Sequence, residues 1–115
     1  MAKIKEIQTK EQWDEIFNHS PERKAYVLKY NPQCVICQEG YEQYEKFFSR
    51  YEKDDADFYV VDVVKNKPIS KAIANDLEVT HQSPQLIIVK DMDSVWCDNH
   101  KDIELESIQE GSKVD

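Results

Sequence analysis

Ala25-Tyr26-Val27-Leu28-Lys29-Tyr30-Asn31-Pro32-Gln33-Cys34-Val35-Ile36-Cys37 is the stretch on which the fold turns. Its first five residues are a short apolar run that reads as a buried β-strand, and Pro32 helps to end it. Two thiols two residues apart follow, where the pattern changes to a long amphipathic helix. A thiol at a helix start feels unpaired N–H groups and the positive end of the helix dipole, and both favour the reactive thiolate. A C-x-x-C pair in a strand–helix context points to thiol–disulfide chemistry.

The periodicity extends outward in both directions. Before the strand, Thr9 can cap a helix over Lys10–His19, with Trp13, Ile16 and Phe17 at helical spacing, and Ser20-Pro21-Glu22 ends it. After the cysteine pair, Cys37, Tyr41, Tyr44, Phe48 and Tyr51 recur in steps of four and three, which predicts a helix from Val35 to about Tyr51. Phe58–Val64 is β-branched and aromatic and predicts a central strand. Lys65-Asn66-Lys67-Pro68 starts a third helix through about Leu77. Leu86–Val89 and Val95–Trp96 predict an antiparallel hairpin about Asp91-Met92-Asp93-Ser94, and a last helix runs from about Asp102 to Gln109, with Gly111 as its terminator. The order is (β)αβαβαββα. It predicts a single α/β domain over residues 1–115 with a mixed central sheet flanked by helices.

Bulk properties narrow the function. A chain of 115 residues with 40% hydrophobic content suits one compact core. A net charge of −8 disfavours phosphate backbones and anionic membranes, so neither nucleic acid nor membrane is an expected partner. Only Gly40 and Gly111 are glycine, which excludes the glycine-rich dinucleotide and phosphate loops. No cofactor is expected. The N-terminal segment has no apolar signal-like run and no stretch approaches a membrane span, so a cytoplasmic location is expected. Reducing conditions there and an odd cysteine count argue against a static disulfide framework.

The element order, the C-x-x-C after a strand, and Ser83-Pro84 before a later strand resemble the thioredoxin fold. The resemblance implies a cis proline facing the redox motif, with Pro84 in that role. Lys29–Cys37, His81-Gln82-Ser83-Pro84-Gln85 and Val95-Trp96-Cys97-Asp98-Asn99-His100 resemble more closely the monothiol bacilliredoxins of the bacillithiol system, over about residues 8 to 109. Two positions depart from that pattern. The family's motif usually reads Thr-Cys-Pro-Ile-Ser, whereas this chain has Gln33-Cys34-Val35-Ile36-Cys37, and Cys97 stands where the family tends to have histidine after Val-Trp.

The resemblance implies that Cys34 is the nucleophile. It would attack mixed disulfides between cytosolic proteins and a low-molecular-weight thiol such as bacillithiol, taking the small thiol onto itself. Cys37, one turn further on, would resolve that intermediate; its plainer alternative is packing on the apolar helix face with Tyr41 and Tyr44. Pro84 would shape the substrate groove and the Ser83 backbone could pair with an extended peptide. His81 is a candidate source of charge or a proton near Cys34. Trp13 and Trp96 read as core or groove-lining aromatics. Two other functions compete: a general dithiol oxidoreductase, and a non-catalytic module stabilised by zinc on Cys34, Cys37, Cys97 and His100, a Cys₃His set with ligand-like spacing. The alternative for Cys97 is a half-buried strand residue.

Overall fold

A computed structural model of the chain describes residues 3–113. Strand β1 (Ile4–Glu6) leads into helix α1 (Lys10–His19), strand β2 (Lys24–Tyr30), helix α2 (Val35–Arg50), strand β3 (Ala56–Asp62) and helix α3 (Lys67–Leu77). The hairpin of β4 (Gln85–Lys90) and β5 (Asp93–Asn99), a 3₁₀ turn (His100–Asp102) and helix α4 (Leu105–Gly111) complete it. The sheet order is β1-β3-β2-β4-β5. β1 and β2 lie parallel to β3, while β4 runs antiparallel to both β2 and β5.

Strand alternation divides the core in two. On β2, Tyr26 and Leu28 face one way and pack with Tyr44 and Phe47 of α2 and Ile108 of α4. Ala25 and Val27 face the other way and pack with Trp13 of α1 and Ile69, Ile73 and Leu77 of α3. A central strand buried on both faces reads as a continuous apolar run, as Ala25–Leu28 does. Each fully buried large side chain in these layers contributes roughly 1.5–3 kcal/mol. Tyr44 is fully buried, yet its hydroxyl accepts from Tyr59 N–H at 3.1 Å and lies 3.0 Å from the Tyr59 carbonyl, so its polar tip is satisfied.

Local chemistry explains why several elements form. Thr9 closes a capping box with Gln12 at the start of α1. On α2 the buried positions are Cys37, Gly40, Tyr44 and Phe47, so the deepest line of the helix runs one residue to the side of the Tyr41–Phe48–Tyr51 line. Strand β3 stops at Asp62, short of the expected Val64, because the Asp62 carboxylate accepts from the N–H groups of Val64 and Lys65 at 2.9 Å each and turns the chain.

The hairpin and the last helix also depart from expectation. Asp91 and Met92 both have positive φ and form a two-residue turn, leaving β5 seven residues long instead of the expected Val95–Trp96. The expected helix start at Asp102 is a 3₁₀ turn, and α4 begins at Leu105. Gly111 is the last residue of α4 rather than a left-handed terminator, since no glycine here has positive φ.

Candidate active site

Cys34 is the N-cap residue of α2, with extended backbone and no side-chain cap hydrogen bond at the helix start. It is half-buried, while the next residue, Val35, is 67% exposed. The N–H of Cys37 has the largest influence on its sulfur. With the Cys37 thiol and the Ile36 N–H, it lowers the Cys34 pKa below the ordinary thiol value.

Cys37 is fully buried one turn deeper in α2. Burial raises its pKa, which the Ser83 hydroxyl, 3.4 Å from Cys37 Sγ, and the Asn31 backbone partly offset. Two neighbouring thiols are therefore pushed apart: one outward-facing and anionic in tendency, the other buried and protonated. All three cysteines are free thiols.

The Ser83–Pro84 peptide is cis, as the family resemblance implies. Pro84 lies beside α2, where a Cβ at Gly40 would stand 3.5 Å from Pro84 Cβ, and its carbonyl accepts from His100 N–H at 2.8 Å. A groove of about 600 Å³ runs beside Ile36 and Gly40 between α2 and the His100–Glu106 segment. Glu39, Glu42, Glu104 and Glu106 outnumber Lys101 and His100 along it. A separate depression of about 340 Å³ lies by Ile16, His19 and Tyr59 and contains neither thiol of the pair.

His81 is less readily protonated than a free imidazole. Burial, and then the adjacent Lys29 ammonium, lower its pKa below the usual 6.5. Its Nδ1 lies 3.4 Å from Lys29 Nζ and 3.2 Å from Ser70 Oγ. Lys29 is the residue that sequence reading passed over. Its Nζ donates to the Ser70 carbonyl at 3.0 Å, and burial lowers its pKa to about 8. The available signal was register, because Lys29 shares a strand face with Ala25 and Val27.

The zinc alternative is corrected by the geometry. Cys97 sits opposite Ile87 and packs with the layer of α1 and α3, whereas Cys37 comes from α2 on the other face of the sheet. Among the described residues no three His, Cys, Asp or Glu side chains converge on a metal-binding position. Cys97 is half-buried on β5, as its plainer reading expected, and burial raises its pKa.

Residues 5–108 match the family model described as monothiol bacilliredoxin BrxC. A solved structure described by its thioredoxin fold superposes with a TM-score of 0.83 at 25% identity, covering 96% of this chain and 95% of its own. Malassezia sympodialis thioredoxin gives 0.77 at 14% identity, over 96% of this chain and 88% of its own. Fasciola hepatica thioredoxin gives 0.72 at 19% identity, over 93% and 94%. At those identities the two thioredoxins speak to the fold alone.

Proposed function

Given that this chain belongs to the monothiol bacilliredoxin family and is a thiol–disulfide oxidoreductase of thioredoxin-like fold, we propose that Cys34 removes a low-molecular-weight thiol from cysteine-modified proteins. The observation that carries this reading is the contrast within the pair: Cys34 at the helix start with a lowered pKa, and Cys37 buried behind it with a raised one.

The Cys34 thiolate attacks the small-thiol sulfur of the mixed disulfide. A bond forms between Cys34 and the small thiol, and the target cysteine leaves as a thiolate that takes up a proton. Cys37 then gives up its proton and attacks Cys34 Sγ. The small thiol leaves as a thiolate and a Cys34–Cys37 disulfide remains. Two electrons have passed from the pair to the original mixed disulfide. Two molecules of small thiol, leaving as their own disulfide, or one external dithiol, which is oxidised to its disulfide, return them. Bacillithiol and cytosolic protein targets are the substrates the family membership suggests, and the Ser83–Pro84 turn, with His81, would receive them.

The test uses a target protein carrying bacillithiol on one cysteine. Wild-type protein is expected to release the target thiol. Cys34→Ser should abolish release, and Cys37→Ser should still release target but accumulate Cys34 bearing the small thiol. Undiminished release by Cys34→Ser would sink the proposal.

The second reading, a general dithiol oxidoreductase, is favoured by Cys37 itself, which stands where the family usually has serine. Loss of all turnover in Cys37→Ser would select it.

A further inference from the structure

We infer that Lys29 is a positioning residue for the Cys37 step: its buried amine holds His81, and through His81 the Ser83–Pro84 turn, against the cysteine pair. The inference rests on the reading of Cys34 as nucleophile and Cys37 as resolving thiol.

Lysine is almost never fully buried unless paired, and Lys29 is 0% exposed. The partners the structure gives its amine are the Ser70 carbonyl at 3.0 Å and His81 Nδ1 at 3.4 Å, not a carboxylate. An ammonium can only donate. His81 Nδ1 must therefore accept, shared between Lys29 and the Ser70 hydroxyl, and the imidazole proton sits on Nε2. A second cation beside the ammonium is disfavoured, which keeps the ring neutral. Lys29 thus fixes both the tautomer and the position of His81. The other titratable group facing Lys29 is Cys97 of β5.

His81 precedes Ser83 by two residues, and Ser83 Oγ is the side-chain group 3.4 Å from Cys37 Sγ. The segment is held from both ends. At His81 it is tied to β2 and α3 through Lys29 and Ser70. At Pro84 its carbonyl takes the His100 N–H. Gln85, the register partner of Lys29, adds a third tie by donating to the Thr80 carbonyl at 3.0 Å. Releasing the Lys29 end lets Ser83 move off Cys37, and small displacements of a reacting group cost rate steeply.

The experiment loads Cys34 with bacillithiol from a model mixed disulfide and follows two rates, capture at Cys34 and release of the small thiol by Cys37. Lys29→Met should slow release about tenfold or more and slow capture by less. Loss of the ammonium should also shift the NMR titration of His81 upward in Lys29→Met, which checks their contact, while slowing of release beyond that of capture is the readout a purely structural role would not move. Wild-type release in folded Lys29→Met overturns the inference alone. Absence of capture in wild-type protein overturns the functional reading and the inference with it. Should Lys29→Met fail to fold, His81→Asn carries the test: slowed release supports the inference, and wild-type release overturns it.

Discussion

Gly111 of α4 lies against the face of Trp96 on β5, so close that a Cβ at position 111 would stand 2.3 Å from Trp96 Cε2 and 2.4 Å from Cδ2. The glycine is there because the indole leaves no room for a side chain, and the helix end and the edge strand meet at that contact. Gly111→Ala must displace a rigid ring or the helix end. It is expected to destabilise by roughly 1–3 kcal/mol, the usual range for overpacking. Urea denaturation reads this directly, and an unchanged midpoint would mean α4 moves aside freely.

Gly40 behaves in the opposite way. A Cβ there would meet Pro84 and Ile103 at 3.5–3.8 Å, ordinary contact, and the residue lies inside α2. Gly40→Ala is expected to stabilise by about 0.5–1 kcal/mol through helix propensity and to leave thiol exchange intact. Gly40→Leu would drive into Pro84 and slow exchange. Equal exchange rates for the two variants would show that the Pro84 contact does not matter.

Alkylation should separate the two cysteines of the motif. Thiolate fraction rises with pH through the pKa, and the Cys34 pKa is lowered while that of Cys37 is raised. Cys34 should reach half its maximal rate at a lower pH than an ordinary free thiol, with Cys37 lagging well behind. Peptide mass spectrometry after brief iodoacetamide treatment checks this, and faster labelling of Cys37 would contradict the assignment of nucleophile.

Lys29 carries a stability cost with a definite pH signature. Burial lowers its pKa from 10.5 to about 8, so between those values the unfolded chain binds more protons than the folded one. Wild-type stability therefore gains as pH rises from about 8 towards 10.5. Below pH 8 the fold carries the whole cost of the buried ammonium, about 3 kcal/mol. Lys29→Met removes that cost, less what the lost bonds to Ser70 and His81 contributed. It should be the more stable protein at pH 7, by an amount that shrinks above pH 8. Denaturation at pH 7 and pH 10 measures the gap, and a variant equally destabilised at both would refute the account.

The architecture was readable because its elements carry strong periods. The Cys37–Tyr51 spacing marks α2 and the apolar run at Ala25 marks β2. What was misread depended on contacts distant in sequence or on side chains acting on backbone. The Asp62 carboxylate ends β3 early, and nothing in the valines after it signals that. Gly111 looked like a helix terminator because its neighbour Trp96 is fifteen residues away. Cys34 and Cys37 were legible as a pair, and the left-over ligand spacing of Cys97 and His100 suggested a metal set only while the placing of Cys97 on the far side of the sheet from α2 was unseen. Lys29 stayed hidden because a lysine at a strand end is ordinarily solvated, and its burial comes from Ser70 and His81.

The uncapped start of α2 has a thermodynamic consequence. Where other helices place a serine or aspartate oxygen, this one places the sulfur of Cys34. As a thiolate it provides the negative charge a helix start favours, and as half of a disulfide it provides none. This contribution favours the reduced pair on folding. Through the thermodynamic cycle the same contribution acts on the redox couple, raising the oxidising strength of the disulfide by the amount the helix start gains from the thiolate. The strength of a helix cap and the oxidising strength of a disulfide draw here on the same free energy.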